Sequence, residues 1–163
     1  MNAVQDEKER PMPVVKWIDI PPVWLVGAIV AAWAQARFVP LGLSLAHPIT
    51  QLLSGLLIGA GILLMALAIH EMRRQKTTVI PHQDPSRLVQ SGIFSRSRNP
   101  IYLGYVLLLA GLILKLDAVL SLLLIPLFLL RMERRFVVPE ENRLRSAFRA
   151  DWGRYEQKVR RWL

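Results

Sequence analysis

The sequence predicts an all-α integral membrane protein with about four transmembrane helices, followed by C-terminal interfacial amphipathic helices. Hydrophobic residues make up 53% of the 163 residues and gather in four uncharged runs, although the net charge of the chain is +9. Of the 21 lysines and arginines, only Arg37 and Lys115 fall on one side of a four-crossing arrangement. This asymmetry follows the positive-inside rule and favours a membrane protein over a soluble one.

The composition also excludes several classes of function. A basic soluble protein that binds nucleic acid would not contain such long uncharged runs, so we expect no nucleic-acid partner and assign the basic charge to loops. The chain has no cysteine, which excludes disulfides, thiolate metal sites and cysteine nucleophiles. Its 3 histidines are not spaced as metal ligands usually are, and no metal site is predicted.

The runs divide the chain into an arm and one membrane domain. Residues 1–16 are charged and rich in proline, which indicates a cytoplasmic arm. Residues 17–163 form the domain, with predicted helices at about 20–37, 49–72, 100–115 and 118–138. The fourth uncharged run is short, so it spans a bilayer only if the helix continues through residues 132–138. Gly55 and Gly59 form a GxxxG face on the second helix. Such a face suits a homodimer contact, although small residues also occur in membrane helices without one.

We predict an integral protein of a bacterial inner membrane, and the charge asymmetry predicts that both termini lie in the cytoplasm. It places the polar loop 73–99 and the C-terminal helices 139–163 on the same face. Pro139 suits the first position of a helix, and Asp151 suits the cap of a second helical piece. In that piece Trp152, Tyr155 and Val159 recur at helical spacing, which is typical of an amphipathic helix at a membrane interface.

The end of the polar loop carries the residue types that a binding site needs. Arg98 is followed by Asn99 and Pro100, which fit a capping residue and the first turn of a helix, and then by Tyr102. Each has a simpler explanation, because arginine sets topology and tyrosine lies at headgroup depth in many membrane helices. The argument for a site therefore rests on their combination with other segments.

Five segments in a fixed order resemble the membrane methyltransferases of the isoprenylcysteine carboxyl methyltransferase and phospholipid methyltransferase group. The segments are TTVIP at 77–81, LVQSGIF at 88–94, RNPIY at 98–102, EENRL at 140–144 and WGRY at 152–155. The resemblance covers about residues 70–163. Each segment is a weak signal alone, whereas their order and spacing across two helices is fairly specific.

The resemblance implies S-adenosyl-L-methionine as cofactor and methyl transfer to a lipophilic acceptor at the cytoplasmic face. Carboxylates can hold the ammonium or ribose of this cofactor, and aromatic rings can face its adenine or sulfonium. By resemblance, the cofactor-binding residues are Leu88, Val89, Gly92, Phe94, Asn99, Pro100, Tyr102, Glu140 and Glu141. The two glutamates also suit a helix N-terminus without any ligand.

The chemistry of the acceptor decides the remaining roles. A carboxylate acceptor needs a cation beside the methyl group, and the catalytic residues expected for this are Arg98, Arg134 and Arg135. An amine acceptor needs a base, for which Glu133 or Glu141 would serve. His70 and Glu71, at the end of the second helix, either line the pocket from the other side or only mark the end of a helix.

The acceptor itself is left open by the sequence. A prenylated carboxylate, a phospholipid amine, a small thiol and another isoprenoid acid all fit, so the expected partner is a lipid or a lipidated small molecule. One alternative function is a nicotinamide-dependent membrane reductase related to the sterol reductases. Another is a non-enzymatic four-helix scaffold or transporter subunit, which would place polar residues near the bilayer midplane, where the runs have almost none.

Overall fold

The computed structural model describes residues 19–76 and 87–163, and this part of the chain contains helices but no strand. The all-helical class predicted from the sequence is therefore confirmed for it. The predicted arm at 1–16, and the TTVIP segment at 77–81, lie outside the described residues. The helices are α1 Pro21–Phe38, α2 Pro48–Arg74, α3 Pro100–Lys115, α4 Leu124–Met132 and α5 Val138–Lys158, with 3-10 turns at Gly92–Ser95 and Val119–Leu123 and a π-helical turn at Glu133–Val137.

Proline lies in the first turn of α1, α2, α3 and α5, where its missing N–H costs nothing because those donors have no helical partner. His47 caps α2 by accepting a hydrogen bond from the backbone N–H of Ile49 at 3.3 Å.

Asp117 joins two loops at the opposite end of the bundle from Arg98. Its carboxylate accepts hydrogen bonds from the Ser44 hydroxyl at 2.5 Å and the Leu45 N–H at 2.6 Å. These two bonds hold the pKa of Asp117 below its usual range.

The contact between α2 and α3 is made by small residues. A Cβ atom added to Gly104 would lie 2.6 Å from Met65 Cγ, and one added to Gly61 would lie 2.7 Å from the Gly104 carbonyl oxygen. The buried Ser54 hydroxyl donates a hydrogen bond to the Gly111 carbonyl at 2.9 Å. Small side chains let two apolar helices approach closely and gain dispersion contacts.

Gly55 and Gly59, the predicted dimer face, take no part in that contact. A Cβ atom at either position would meet nothing within 4 Å. The homodimer through this face stays a prediction.

Within the described residues, α2 alone is both long and apolar enough to cross a membrane by itself, and α3 is a shorter apolar helix. Many large apolar side chains on the outside of the bundle are exposed, such as Val26 at 58% and Leu56 at 62%. Such a surface suits a lipid environment. The four crossings predicted from the sequence stay a prediction.

The chain continues from α4 through the π-helical turn into α5 without leaving a helical path, and Met132, Phe136 and Val137 of this stretch are buried. Helix α5 bends sharply at Arg149, whose φ is 38°. Beyond the bend, Trp152, Tyr155 and Val159 are buried in a small cluster with Leu88, Leu144 and Phe148. The helical spacing of these aromatic residues is therefore explained by packing inside the protein.

Candidate functional site

Residues from the start of α3 meet residues from the first turn of α5. The Asn99 side-chain amide donates a hydrogen bond to Glu141 Oε1 at 3.1 Å, and the Tyr102 hydroxyl donates one to Glu140 Oε2 at 2.9 Å. Asn99 does precede α3, but its side chain makes no capping hydrogen bond. The amide is thus free to reach across to α5, and the structure joins two segments that are about 40 residues apart in sequence.

Arg98 lies beside this pair and is largely buried. Its Nε atom is 3.4 Å from Glu141 Oε1, and its terminal nitrogen is 3.5 Å from Glu156 Oε2. The guanidinium also lies 5.5 Å from the centre of the Trp152 ring, a cation–π distance. Yet Arg98 Nε is buried and has no hydrogen-bond acceptor among the described residues. This nitrogen is therefore balanced by the charge of Glu141 without a hydrogen bond of good geometry, and the arginine is held inside the protein.

Arg161 is the second arginine at the site, and sequence reasoning missed it. It donates to Glu141 Oε2 from two nitrogens, at 2.8 and 3.1 Å, and to Glu133 Oε1 at 2.5 Å. The bonds to Glu141 raise the pKa of the guanidinium, with a smaller contribution from Glu133. Both oxygens of the buried Glu141 therefore already accept hydrogen bonds from the protein.

The backbone after α5 lies alongside the residues that precede α3. The Arg98 N–H donates to the Arg160 carbonyl at 3.0 Å, and the Asn99 amide also donates to the Arg161 carbonyl at 3.3 Å. The Ser97 hydroxyl lies 3.4 Å from that carbonyl. This backbone pairing fixes where the Arg161 side chain begins and aims it at Glu141.

Helix α5 supplies two further polar groups to the same region. Glu156 accepts hydrogen bonds from Arg145 at 2.8 Å and from the Trp152 indole at 3.0 Å. The bond from Arg145, helped by that from Trp152, holds the pKa of Glu156 below its usual range. The Tyr155 hydroxyl donates to the Phe94 carbonyl at 2.7 Å, and burial raises the pKa of this phenol. Tyr155 thus ties the loop before α3 to α5.

That loop rests on Glu71 of α2. Gly92 has a φ of +59°, and a Cβ atom there would lie 2.9 Å from Glu71 Oε2. The Ser91 hydroxyl donates to Glu71 Oε1 at 2.5 Å, and Glu71 is buried. The glycine of the LVQSGIF segment is therefore required by both backbone conformation and space. Leu88, Val89 and Phe94 of the same segment are half-buried.

Two of the arginines expected to be catalytic lie apart from this network. Arg134 is exposed and makes no ion pair within residues 19–76 and 87–163. Arg135 is also exposed and pairs with Asp19, just before α1. Only Arg98 of the three predicted arginines contacts Glu141. We therefore name as the carboxylate cluster the set Arg98, Asn99, Tyr102, Glu133, Glu140, Glu141, Glu156 and Arg161.

The chemistry of this cluster fits S-adenosyl-L-methionine. The cofactor carries an amino-acid carboxylate, which suits the positive charge of the arginines, and two cationic centres, which suit the glutamates and the Tyr102 ring. Among the described residues, no group of three or more histidine, aspartate or glutamate side chains could hold a metal ion.

A comparison with protein-family models matches residues 49–151, more than half of the chain, to the model described as phospholipid methyltransferase. The matched range contains α2, α3, α4 and the first turns of α5. It therefore includes every residue of the carboxylate cluster except Glu156 and Arg161. Neither the comparison with curated proteins nor that with solved structures gave a match.

Proposed function

The chain belongs to the phospholipid methyltransferase family, and from this premise we propose that it transfers a methyl group from S-adenosyl-L-methionine to a lipophilic acceptor at the cytoplasmic membrane face. The acceptor is a lipid amine or the carboxylate of an isoprenylcysteine-like molecule. The observation that carries the proposal is the meeting of Asn99 and Tyr102 with Glu141 and Glu140. A family signature spread over two helices forms one cluster of side chains.

The two glutamates have different proposed roles because their surroundings differ. Glu141 is buried and its two oxygens are occupied by Asn99 and Arg161, with Arg98 close by. We therefore assign it to positioning these three side chains. Glu140 is partly exposed and bonds to the Tyr102 hydroxyl, so it is the carboxylate proposed to hold a cationic part of the cofactor.

The cofactor supplies an electrophilic methyl group on a sulfonium. Methyl transfer of this kind is an in-line displacement, so the protein contributes mainly by orientation and by keeping water out. Arg98, held between Glu141 and Glu156, offers a fixed cation for a carboxylate. For an amine acceptor, a proton must leave. Of the two bases expected from the sequence, Glu141 has both oxygens occupied, so the partly exposed Glu133 is proposed for this role.

Cofactor binding to detergent-purified protein, measured by calorimetry, tests the proposal. We expect saturable binding of S-adenosyl-L-methionine to the wild type and its loss in the Asn99→Ala/Glu140→Ala double variant. Gln157→Ala is the matched control, because this exposed polar residue lies on α5 but outside the carboxylate cluster.

The outcomes separate the proposal from its alternatives. If the double variant binds S-adenosyl-L-methionine as well as the wild type does, the cofactor site lies elsewhere in the protein. No binding by a well-folded wild type would overturn the cofactor assignment. The nicotinamide cofactor of the reductase alternative would then be titrated in the same way.

A further inference from the structure

Glu71 is a buried carboxylate that does not belong to the carboxylate cluster. It lies in the last turn of α2 and is 5% exposed, whereas the preceding His70 is exposed. Taking a carboxylate out of water costs free energy unless donors and opposite charges surround it. The donors that surround Glu71 therefore indicate which part of the protein it holds.

Two side-chain donors and one cation surround this carboxylate. Glu71 Oε1 accepts hydrogen bonds from the Ser91 hydroxyl at 2.5 Å and from the Gln75 amide at 3.2 Å. The Gln75 amide also donates to the Ser91 hydroxyl at 3.1 Å, and a terminal nitrogen of Arg74 lies 3.6 Å from Glu71 Oε2. Gln75 and Arg74 belong to the same end of α2 as Glu71. The bond from Ser91 is therefore the one that ties Glu71 to the loop before α3.

The backbone of this loop also packs against the carboxylate. Gly92 has a φ of +59°, which residues with a side chain rarely adopt, and a Cβ atom there would lie 3.1 Å from the Glu71 carboxyl carbon. The absence of a side chain at Gly92 thus leaves room for the carboxylate that Ser91 binds. A hydrogen bond and a backbone contact together fix this point of the loop.

The same point of the loop is connected to Arg98. Residues Gly92–Ser95 form a 3-10 turn, in which the Phe94 carbonyl accepts a hydrogen bond from the Tyr155 hydroxyl at 2.7 Å. Arg98 follows this turn by three residues. A short segment with its own hydrogen bonds therefore links the contact at Ser91 to Arg98, so that a shift at one end displaces the other.

We propose that Glu71 is a positioning residue for cofactor binding. Through Ser91 it fixes the loop of residues 88–98, and the loop presents the segment 88–94 and Arg98 to S-adenosyl-L-methionine. The inference rests on the proposed function, in which residues of this loop contact the cofactor. Glu71 acts through the loop and is not assigned a contact with the cofactor.

The chain contains a second contact of the same chemistry, which provides an internal comparison. The Asp117 carboxylate accepts a hydrogen bond from the Ser44 hydroxyl at 2.5 Å, the same distance as that between Glu71 and Ser91. This second contact lies at the opposite end of the bundle from Arg98. Loss of either contact should lower stability, whereas only loss of the contact between Glu71 and Ser91 should weaken cofactor binding.

Calorimetry on detergent-purified, full-length variants measures the Kd for S-adenosyl-L-methionine, and thermal unfolding of the same samples measures the Tm. We expect Ser91→Ala and Glu71→Ala each to raise the Kd about tenfold, the scale of one hydrogen bond to a charged group. Glu71→Gln should raise it less, because its side-chain oxygen still accepts from Ser91. The double variant Glu71→Ala/Ser91→Ala should bind no more weakly than Glu71→Ala, since both changes remove one contact.

Ser44→Ala and Asp117→Asn are the matched controls. Both should lower the Tm, and both should keep the Kd of the wild type. Such a divergence between Kd and Tm separates positioning of the loop from a general contribution to stability. Ser91→Ala removes a single oxygen atom, so its result decides the question if Glu71→Ala does not fold.

The outcomes separate this inference from the proposed function. If Ser91→Ala binds with the Kd of the wild type, or if the Ser44 and Asp117 variants lose affinity to the same extent, Glu71 is not a positioning residue. Losses of affinity that add in the double variant would overturn the route through Ser91. In each of these cases, binding by the wild type still supports the proposed function. A well-folded wild type that binds no cofactor would instead overturn the proposed function, and this inference with it.

Discussion

Glu141 is a carboxylate that the fold can bury only because several cations and donors surround it. It is 3% exposed, and it accepts from Asn99 and twice from Arg161, with Arg98 within 3.4 Å. Taking a charge out of water is expensive unless it is paired and hydrogen-bonded. The cost explains why two separate segments of the chain, one before α3 and one after α5, converge on this residue. It also makes each of its partners sensitive to substitution.

Arg161→Gln tests this dependence. Removing one partner of a buried ion pair costs about 3–5 kcal/mol, and we expect the lower end because Arg161 itself is 33% exposed. Thermal unfolding in detergent should show a clear decrease in Tm, and calorimetry should show weaker cofactor binding.

Arg160→Gln is the control, because the described structure uses only the backbone carbonyl of that exposed residue. Equal effects of the two substitutions would show that net charge, and not the contact with Glu141, matters.

At the scale of helices, the pairing of α2 with α3 depends on where glycine occurs. A Cβ atom at Gly111 would lie 2.7 Å from Ile58 Cγ1 and 2.9 Å from the Ser54 carbonyl oxygen, which is backbone and cannot turn aside. At Gly59 the same atom would enter open space. The backbone of α2 thus leaves no room for a side chain at Gly111, whereas Gly59 has room for one.

We expect Gly111→Ala to lower stability and Gly59→Ala not to lower it. Overpacking costs about 1–3 kcal/mol, of which better helix propensity returns at most about 1 kcal/mol. Gly111→Ala should therefore lower the Tm, and Gly59→Ala should leave it unchanged or raise it. Circular dichroism of both variants during heating in the same detergent checks this. A loss of stability in both would indicate that Gly59 has a contact of its own.

The helices differ in how far their sequence could predict them. The starts of α1, α2 and α3 follow from proline and from the uncharged runs, because both signals are local. The region predicted as one helix at about 118–138 instead contains a 3-10 turn, α4 and a π-helical turn. Hydrophobic residues occur in all three helix types, so composition does not show where one type changes to the next. The division of the C-terminal segment into two helical pieces was predicted from Asp151, and the bend lies two residues earlier, at Arg149. Its exact position had no signal, because arginine rarely adopts a positive φ.

The same reasoning explains which site residues were predictable. Asn99, Tyr102, Glu140 and Glu141 could be expected to meet, because the charge asymmetry placed both segments on one membrane face. The contact of Arg161 with Glu141 could not be predicted. It depends on the bend at Arg149 and on the hydrogen bonds between the backbone after α5 and Ser97–Asn99. Its neighbours Arg154, Lys158 and Arg160 have the same type of charge, and nothing in the sequence distinguishes it from them.

For the whole molecule, the distribution of charge predicts one orientation in the membrane. The loop before α2 and the Asp117 turn lie together, joined by the hydrogen bonds to Ser44 and Leu45, and Arg37 and Lys115 are the basic residues nearest to them. The carboxylate cluster lies at the other ends of α2 and α3. The positive-inside rule therefore predicts that the cluster faces the cytoplasm.

Cysteine labelling checks this orientation without background, since the natural chain has no cysteine. Leu43→Cys and Ser146→Cys each introduce one exposed thiol, in the loop before α2 and on α5. In intact bacterial cells, a membrane-impermeant maleimide should label position 43, whereas position 146 should react only after lysis. The reverse pattern would show that the protein has the opposite orientation. Labelling of both positions in intact cells would contradict a membrane-spanning arrangement.

The π-helical turn at Glu133–Val137 sets the rotational phase of everything that follows it. A π-helical turn accommodates one residue more than the α-helix it interrupts, and each residue of an α-helix advances the chain by about 100° around the axis. Shortening this turn to regular α-helix would therefore rotate Glu140 and Glu141 by about a quarter of a circle, away from Tyr102 and Asn99. The single extra residue of this turn thus decides which residues of α5 lie beside Asn99 and Tyr102.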